Sequence, residues 1–271
     1  MSVQDALARQ RTLNRETADA WDLFASHRAE VTRLVGGAAS GLRLGVLGAG
    51  NGNDLDLEQL VPRCPEVTLV DIDVDALNRM VARQTPEVRS VLRTRAPVDL
   101  CCLETIVNAS AELDPLALAG PIARAIGVAD FDVVASTCVL SQLIDQVRQR
   151  LELDPSRCLA AIQRLRRGHL ALMLRLLRPG GRGLLVSDLV SSDTAPELLT
   201  GVSHWPEVMV KLVAAQNFFT GLNPFIIESS LKQDPMLAPL VGRVALHSPW
   251  VWRISAARAY LVFAVTFQRK S

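Results

Sequence analysis

The sequence predicts an α/β protein built on a mostly parallel sheet, and three observations carry that reading. Between residues 42 and 190, apolar stretches of strand length alternate with segments of helical period. Such alternation calls for parallel strands joined by right-handed crossovers. The apolar strand at 42–47 runs straight into the alternating glycines Gly48, Gly50 and Gly52, and helical spacing resumes at Leu57, Leu60 and Val61. Near the end of the sequence, two strand-like segments at 249–254 and 260–267 flank a short connector. That pattern is a hairpin, so one strand there runs antiparallel to its neighbour.

Each element follows from its own signals. Residues 3–34 read as one or two helices, with Trp21, Phe24, Val31 and Leu34 on one apolar stripe and Gly36–Gly37 as the stop. The first strand and the glycine turn come next. A second strand, 67–70, ends at Asp71, and Asp73 caps a helix over 74–83. The third strand lies at 88–92 or at 98–100. Asp114–Pro115 is a cap followed by a first-turn proline, opening a short helix to about residue 120. The fourth strand is 131–135. Asp154–Pro155 repeats the start signal for a long helix to about 177, closed by Arg178-Pro179-Gly180-Gly181. The fifth strand is 183–187. The stretch 191–248, with Trp205, Phe218, Phe219 and Phe225, reads as helices and loops over the open end of the sheet. The expected organisation is an N-terminal helical cap (1–40) and an α/β domain (41–271) with a lid-like insertion at about 191–248.

Composition narrows the partners. Lys and Arg total 29 against 28 Asp and Glu, a net charge of +1, so no nucleic-acid partner is expected. The hydrophobic fraction of 49% suits parallel strands covered on both faces. No apolar run is long enough to span a membrane, and the first fifteen residues lack the apolar core of a signal peptide. Five cysteines, Cys64, Cys101, Cys102, Cys138 and Cys158, form no C-x-x-C pair and no metal-ligand spacing. They suggest a reduced, cytoplasmic protein without a bound metal or a membrane. The oligomeric state is not legible.

Ligands of open α/β sheets sit at the carboxyl ends of the strands. Glycines at 48, 50 and 52 let main-chain N–H groups approach a nucleotide-like ligand there. A carboxylate at Asp71 is placed to accept two hydrogen bonds from a ribose diol. Asp99, near the end of the third strand, is placed for an adenine amino group, and Ser136 and Thr137 follow the fourth strand. A dinucleotide G-x-G-x-x-G turn needs glycine at position 53, where the chain has Asn53.

Taken in order, VLGAGNGND (46–54), VTLVDID (67–73), APVDL (96–100), FDVVASTCVLSQL (131–143) and LRPGGRGLLVSD (177–188) resemble the class I S-adenosylmethionine-dependent methyltransferases. The resemblance covers roughly residues 42–190. It implies a Rossmann-like, mostly parallel seven-stranded sheet with a C-terminal antiparallel hairpin and helical additions. It implies S-adenosyl-L-methionine as cofactor and methyl transfer to a small-molecule acceptor. Gly48, Gly50 and Gly52 would line the methionine moiety, Asp71 would bind the ribose hydroxyls, and Asp99 the adenine. Ser136 would sit beside the sulfonium, and Leu100 and Thr137 complete the cofactor-binding set. One departure stands out: the family often has an acid two residues before the first glycine, and this chain has Val46. Asp54, after the loop, either shares that supporting role or caps the next helix.

Methyl transfer is a direct displacement that depends mainly on positioning, and a base is needed only when the acceptor must lose a proton. His204 and His247, in the region expected to cover the acceptor, are the candidate bases. His27 and His169 lie in helical segments and read as structural. Cys138 lies near the site with no sign of activation. Phe218, Phe219 and Phe225 read as core, and Trp252 and Tyr260 as packed in the terminal hairpin. Two other functions fit the motifs: an enzyme acting on the aminocarboxypropyl group of the same cofactor and releasing methylthioadenosine, or a non-catalytic binding protein of the same fold.

Overall fold

Strands buried at almost every position need helices on both faces, and the chain supplies them. The computed structural model describes residues 3–37, 40–109, 113–200 and 204–271. Its strands are β1 (Arg43–Leu47), β2 (Glu66–Val70), β3 (Leu92–Arg95), β4 (Phe131–Thr137), β5 (Leu177–Ser191), β6 (Val241–Leu246), β7 (Trp250–Arg253) and β8 (Ala259–Arg269). Their order across the sheet is β3-β2-β1-β4-β5-β8-β6, with β7 also paired to β8. The pairs among β1 to β5 are parallel, and every pair made by β8 is antiparallel. The long β8 takes β7 along its first half and β6 along its second, so eight strands fill seven positions. The mostly parallel sheet and the terminal antiparallel pairing match the sequence expectation.

The helices are α1 (Val3–Glu16), α2 (Ala25–Gly36), α3 (Leu57–Leu60), α4 (Val74–Arg83), α5 (Pro86–Val91), α6 (Leu103–Asn108), α7 (Pro115–Ile126), α8 (Val139–Arg150), α9 (Pro155–Leu176), α10 (Trp205–Ala214) and α11 (Pro224–Gln233). They sandwich the sheet. One apolar layer gathers α6 to α9 and α11, and the other gathers α2 to α4. The pleat divides β4 between them: Val134 belongs to the first layer, Val133 and Ala135 to the second. Val31, Leu34 and Val35 of α2 share a cluster with Leu44 and Val46 of β1. The N-terminal segment is therefore joined to the sheet by common core at the expected boundary near residue 40.

Several elements differ from expectation for identifiable reasons. The third strand is β3, between the two segments the sequence offered. Thr85–Pro86 starts α5, with the Thr85 hydroxyl accepting the Val88 N–H at 3.4 Å, and this removes 88–91 from the sheet. The helix begun at Asp114 passes residue 120 and stops where Gly127 takes φ +70°. Arg178-Pro179-Gly180-Gly181 does not sit before β5 but bulges within it: Phe131 pairs with Leu177, and Val133 next pairs with Arg182. In the stretch 191–248, α10 and α11 are helices as expected, but Val241–Leu246 is a strand, β6, against β8. α11 packs on β6 and β8, so much of that stretch is sheet cover.

Gly183, opposite Phe267, has no room for a side chain, because a Cβ there would run into the phenyl ring. The substitution Gly183→Ala is expected to cost about 1–3 kcal/mol through overpacking. Urea denaturation checks this, and an unchanged midpoint would contradict the packing described.

Candidate active site

The turn after β1 is built from main chain held by β2. Gly48 N–H and Ala49 N–H donate to the Val70 carbonyl at 2.9 and 3.1 Å, and Gly52 N–H donates to the Ala49 carbonyl at 2.8 Å. Gly48, Gly50 and Gly52 take φ of +72°, +49° and +71°. A Cβ on Gly48 or Gly52 would lie 2.5 Å from Val139 or Met80, so these two glycines also admit close packing. Asp71 supplies the anchor: its Oδ2 accepts the Gly50 N–H and its Oδ1 the Asp73 N–H, both at 2.8 Å. Burial pushes the Asp71 carboxyl above its ordinary value, against the opposing pull of those two N–H groups. The glycine loop thus takes its support from the end of β2.

The loop asparagines Asn51 and Asn53 face the N-terminal helix. Asn51 Nδ2 donates to the Asn14 carbonyl at 2.6 Å and the Thr17 hydroxyl at 3.1 Å, and Asn53 Nδ2 donates to the Thr17 carbonyl at 2.8 Å. Asn14 Nδ2 donates in turn to Asp73 at 2.9 Å, and a Cβ on Gly50 would meet Asn14 Oδ1 at 3.2 Å. The end of α1 therefore lies over the glycine loop, latched by side chains that a glycine at position 53 would not provide.

Beside this latch opens a cavity of about 610 Å³, within the range of small-molecule sites. Gly48 to Asn51, Asn53 and Asp54 form one wall, and Thr137, Cys138 and Ser141 a second. Asp188 of β5 and the aromatic side chains Trp252 and Tyr260 line it as well. Ser141 Oγ donates to Asp188 at 2.7 Å, while burial pushes the Asp188 carboxyl up. Asn53 Oδ1, Thr137 Oγ1 and Trp252 Nε1 are buried polar atoms without a hydrogen-bond partner, and all three belong to residues of the cavity wall. Buried polar groups are normally paired, so their gathering here marks a place for a polar ligand. The thiol of Cys138 is pushed well up by burial, which makes it a poor nucleophile.

The structure sorts the expected residues. Gly48, Gly50, Asp54 and Thr137 reach the cavity. Gly52 packs beneath it on Met80. Asp71 lies behind the loop with both oxygens engaged. Asp99 Oδ1 accepts the Cys101 N–H at 2.8 Å, and Leu100 is part of the apolar layer under α6 to α9; neither borders the cavity. Ser136 points away from it: alternation along β4 turns its hydroxyl to the other face, 2.8 Å from His169 Nε2 in the core. His169 is held neutral there, its pKa lowered to about 4 by burial.

The candidate bases are both corrected by position. His204 is exposed at the start of α10, and His247 bonds Thr266 Oγ1 at 2.9 Å on the β6–β7 connector; neither borders the cavity. The residues missed were Asn51, Asn53, Ser141 and Asp188, together with Trp252, Tyr260 and Phe219 as walls. Asp188 was within reach of the sequence, as the last residue of LRPGGRGLLVSD at a strand end. Among the described residues, no group of three or more His, Cys, Asp or Glu is placed to hold a metal, and no helix is long and apolar enough to cross a membrane.

No family model and no curated protein matches the chain. Among solved structures, a phosphoethanolamine N-methyltransferase 2 from Haemonchus contortus aligns over 100% of this chain and 61% of its own, with a TM-score of 0.51 and 13% identity. An O-methyltransferase family protein from Burkholderia thailandensis aligns over 97% of this chain and 59% of its own, at a TM-score of 0.47 and 14% identity. The chain thus spans about three fifths of the length of these two proteins. The fold is that of the class I S-adenosylmethionine-dependent methyltransferases.

The latch is open to test. Asn51→Ala removes one hydrogen bond to α1 and one to Thr17 just beyond it, and at about 1 kcal/mol each this is expected to raise amide exchange across residues 7–17 several-fold. Exchange confined to its wild-type rate would show that Asn51 does not hold the helix.

Proposed function

We propose that this protein transfers the methyl group of S-adenosylmethionine to a small-molecule acceptor. One observation carries the reading: in a class I methyltransferase fold, the glycine loop after β1 opens its main chain onto a cavity whose wall gathers unpaired polar groups. Main chain of Gly48 to Asn51, with Asp54 and Thr137, would hold the methionine half of the cofactor. Asp71, Asp99 and Leu100 would serve the adenosine half. Asp71 acts first through Gly50, whose N–H it orients; a ribose contact would have to share the oxygens that now accept the Gly50 and Asp73 N–H groups.

When bound, the cofactor supplies an electrophilic methyl group on a sulfonium. The chain's task is then geometric. The glycine loop fixes one end of the cavity, and Trp252, Tyr260 and Phe219 shape the other around the acceptor. Holding two reactants in line accounts for about 7–11 kcal/mol of barrier reduction in well-oriented reactions. The balance of charge supports a small acceptor over a polyanion. The five free cysteines support a reducing, cytoplasmic setting.

Calorimetric titration with S-adenosylhomocysteine tests the reading. One site per chain is expected. Thr137→Val, which removes an unpaired hydroxyl from the wall, is expected to weaken binding about tenfold, equivalent to ~1.4 kcal/mol. Folded wild-type protein that takes up no cofactor would refute the proposal.

A further inference from the structure

We propose that the acceptor is an amine, drawn in by the Asp188 carboxylate against the aromatic wall of Trp252 and Tyr260. The reaction assigned to it rests on the methyl-transfer reading; the recognition does not.

The sheet register places these groups together. Asp188 pairs with Val262 of β8, which pairs with Trp250 of β7 on its other side. One step along, Ser191 pairs with Tyr260, which pairs with Trp252. Residues two apart on a strand share a face, so Asp188, Tyr260 and the two tryptophans project from the same side of the sheet. The rings are fixed from behind. Trp252 stacks on His27 at 4.5 Å between centroids, meets Phe24 edge-on at 4.6 Å and lies 5.7 Å from Tyr260.

Charge then selects the ligand. The cavity's Arg9 is paired with Asp145, and Arg258 with Asp193 at 3.3 Å. Arg148 lies at the exposed rim. Asp188 has no ion-pair partner among the described residues; the Ser141 hydroxyl is its side-chain donor. Asp54 adds a second carboxylate, with His27 Nε2 at 3.2 Å as its neighbour. A carboxylate without a cation, beside a Tyr260 ring whose face already takes the Arg258 guanidinium 5.5 Å from its centroid, attracts an ammonium and repels a carboxylate or a phenolate. An independent sign that a ligand belongs here is Thr137, 3% exposed on the same cavity, whose hydroxyl has no partner.

The step balances with S-adenosylmethionine as co-reactant. The bound ammonium first gives a proton to the Asp188 carboxylate, which frees the nitrogen lone pair. That lone pair forms a bond to the methyl carbon as the carbon–sulfur bond breaks, its electrons returning to sulfur and leaving S-adenosylhomocysteine and a methylated ammonium.

Two titrations of the full-length chain test this. Calorimetry with benzylamine and with benzyl alcohol measures recognition alone, and calorimetry with S-adenosylhomocysteine measures the cofactor site. The amine is expected to bind at least tenfold tighter than the alcohol. Asp188→Asn is expected to erase that preference while leaving S-adenosylhomocysteine affinity within threefold of wild type. Glu228→Gln, whose carboxylate pairs with Lys232 outside the cavity, serves as the folded control and is expected to keep the preference. Equal binding of amine and alcohol by wild type overturns the proposal. So does an Asp188→Asn protein that loses cofactor affinity and keeps the amine preference, which would give Asp188 to the cofactor's own ammonium. An amine preference in a protein that takes up no S-adenosylhomocysteine sinks the methyl-transfer reading and leaves the cationic site standing.

Discussion

One buried carboxylate organises the mouth of this sheet. Asp71 closes β2 and divides its oxygens between the N–H groups of Gly50 and Asp73. The first contact sets the glycine loop; the second sets the start of α4, where Asp73 Oδ1 accepts from Asp75 N–H and Ala76 N–H at 3.1 and 3.3 Å. Asp73 Oδ2 in turn receives Asn14 from α1. Three elements far apart in sequence are thereby referred to one strand end. Hydrogen bonds to a charged acceptor contribute about 1.5–3 kcal/mol each, which explains how a buried acid is tolerated at this point.

Around that anchor the chain divides labour between its two helical layers. The layer of α6 to α9 is apolar and takes up even the hydroxyl of Ser136, satisfied by a neutral His169. The opposite face borders the cavity. β1 and β4 turn into loops at Gly48 and Cys138, while β5 runs on to pair with β8 and brings Asp188 beside the aromatic residues of β7 and β8. The N-terminal helix closes this space from the side, tied by polar contacts to Asn51 and Asn53. A helix whose described contacts with the loop are side-chain amides is suited to opening for a ligand.

Much of the sheet was legible because parallel strands leave a distinctive trace. Runs such as 67–70 and 131–135 are apolar at nearly every position, since both faces are covered. Caps with a following proline, at Asp114 and Asp154, marked helix starts correctly. The errors came where local signals compete. β3 is short and half exposed, with Arg93 and Thr94 on the surface, so it lacks that apolar trace. β6 is an edge strand whose middle is polar and glycine-containing, and its pairing with β8 supplies what its own sequence does not.

The sequence by itself determined the α/β class, the strand-to-loop turn at Gly48 to Gly52 and the carboxylate at the end of β2. Each of these depends on neighbours within a few residues, through backbone freedom, capping and burial pattern. The tertiary structure decided which of those side chains meet. Ser136 and Thr137 are adjacent in the chain, yet the pleat sends one to the core and the other to the cavity. His204 and His247 fall outside the cavity, while Asp188, Trp252 and Tyr260, spread over some seventy residues, come to one face of the sheet. Register and strand order set those neighbours, and both are fixed by long-range pairing that no short window of sequence contains.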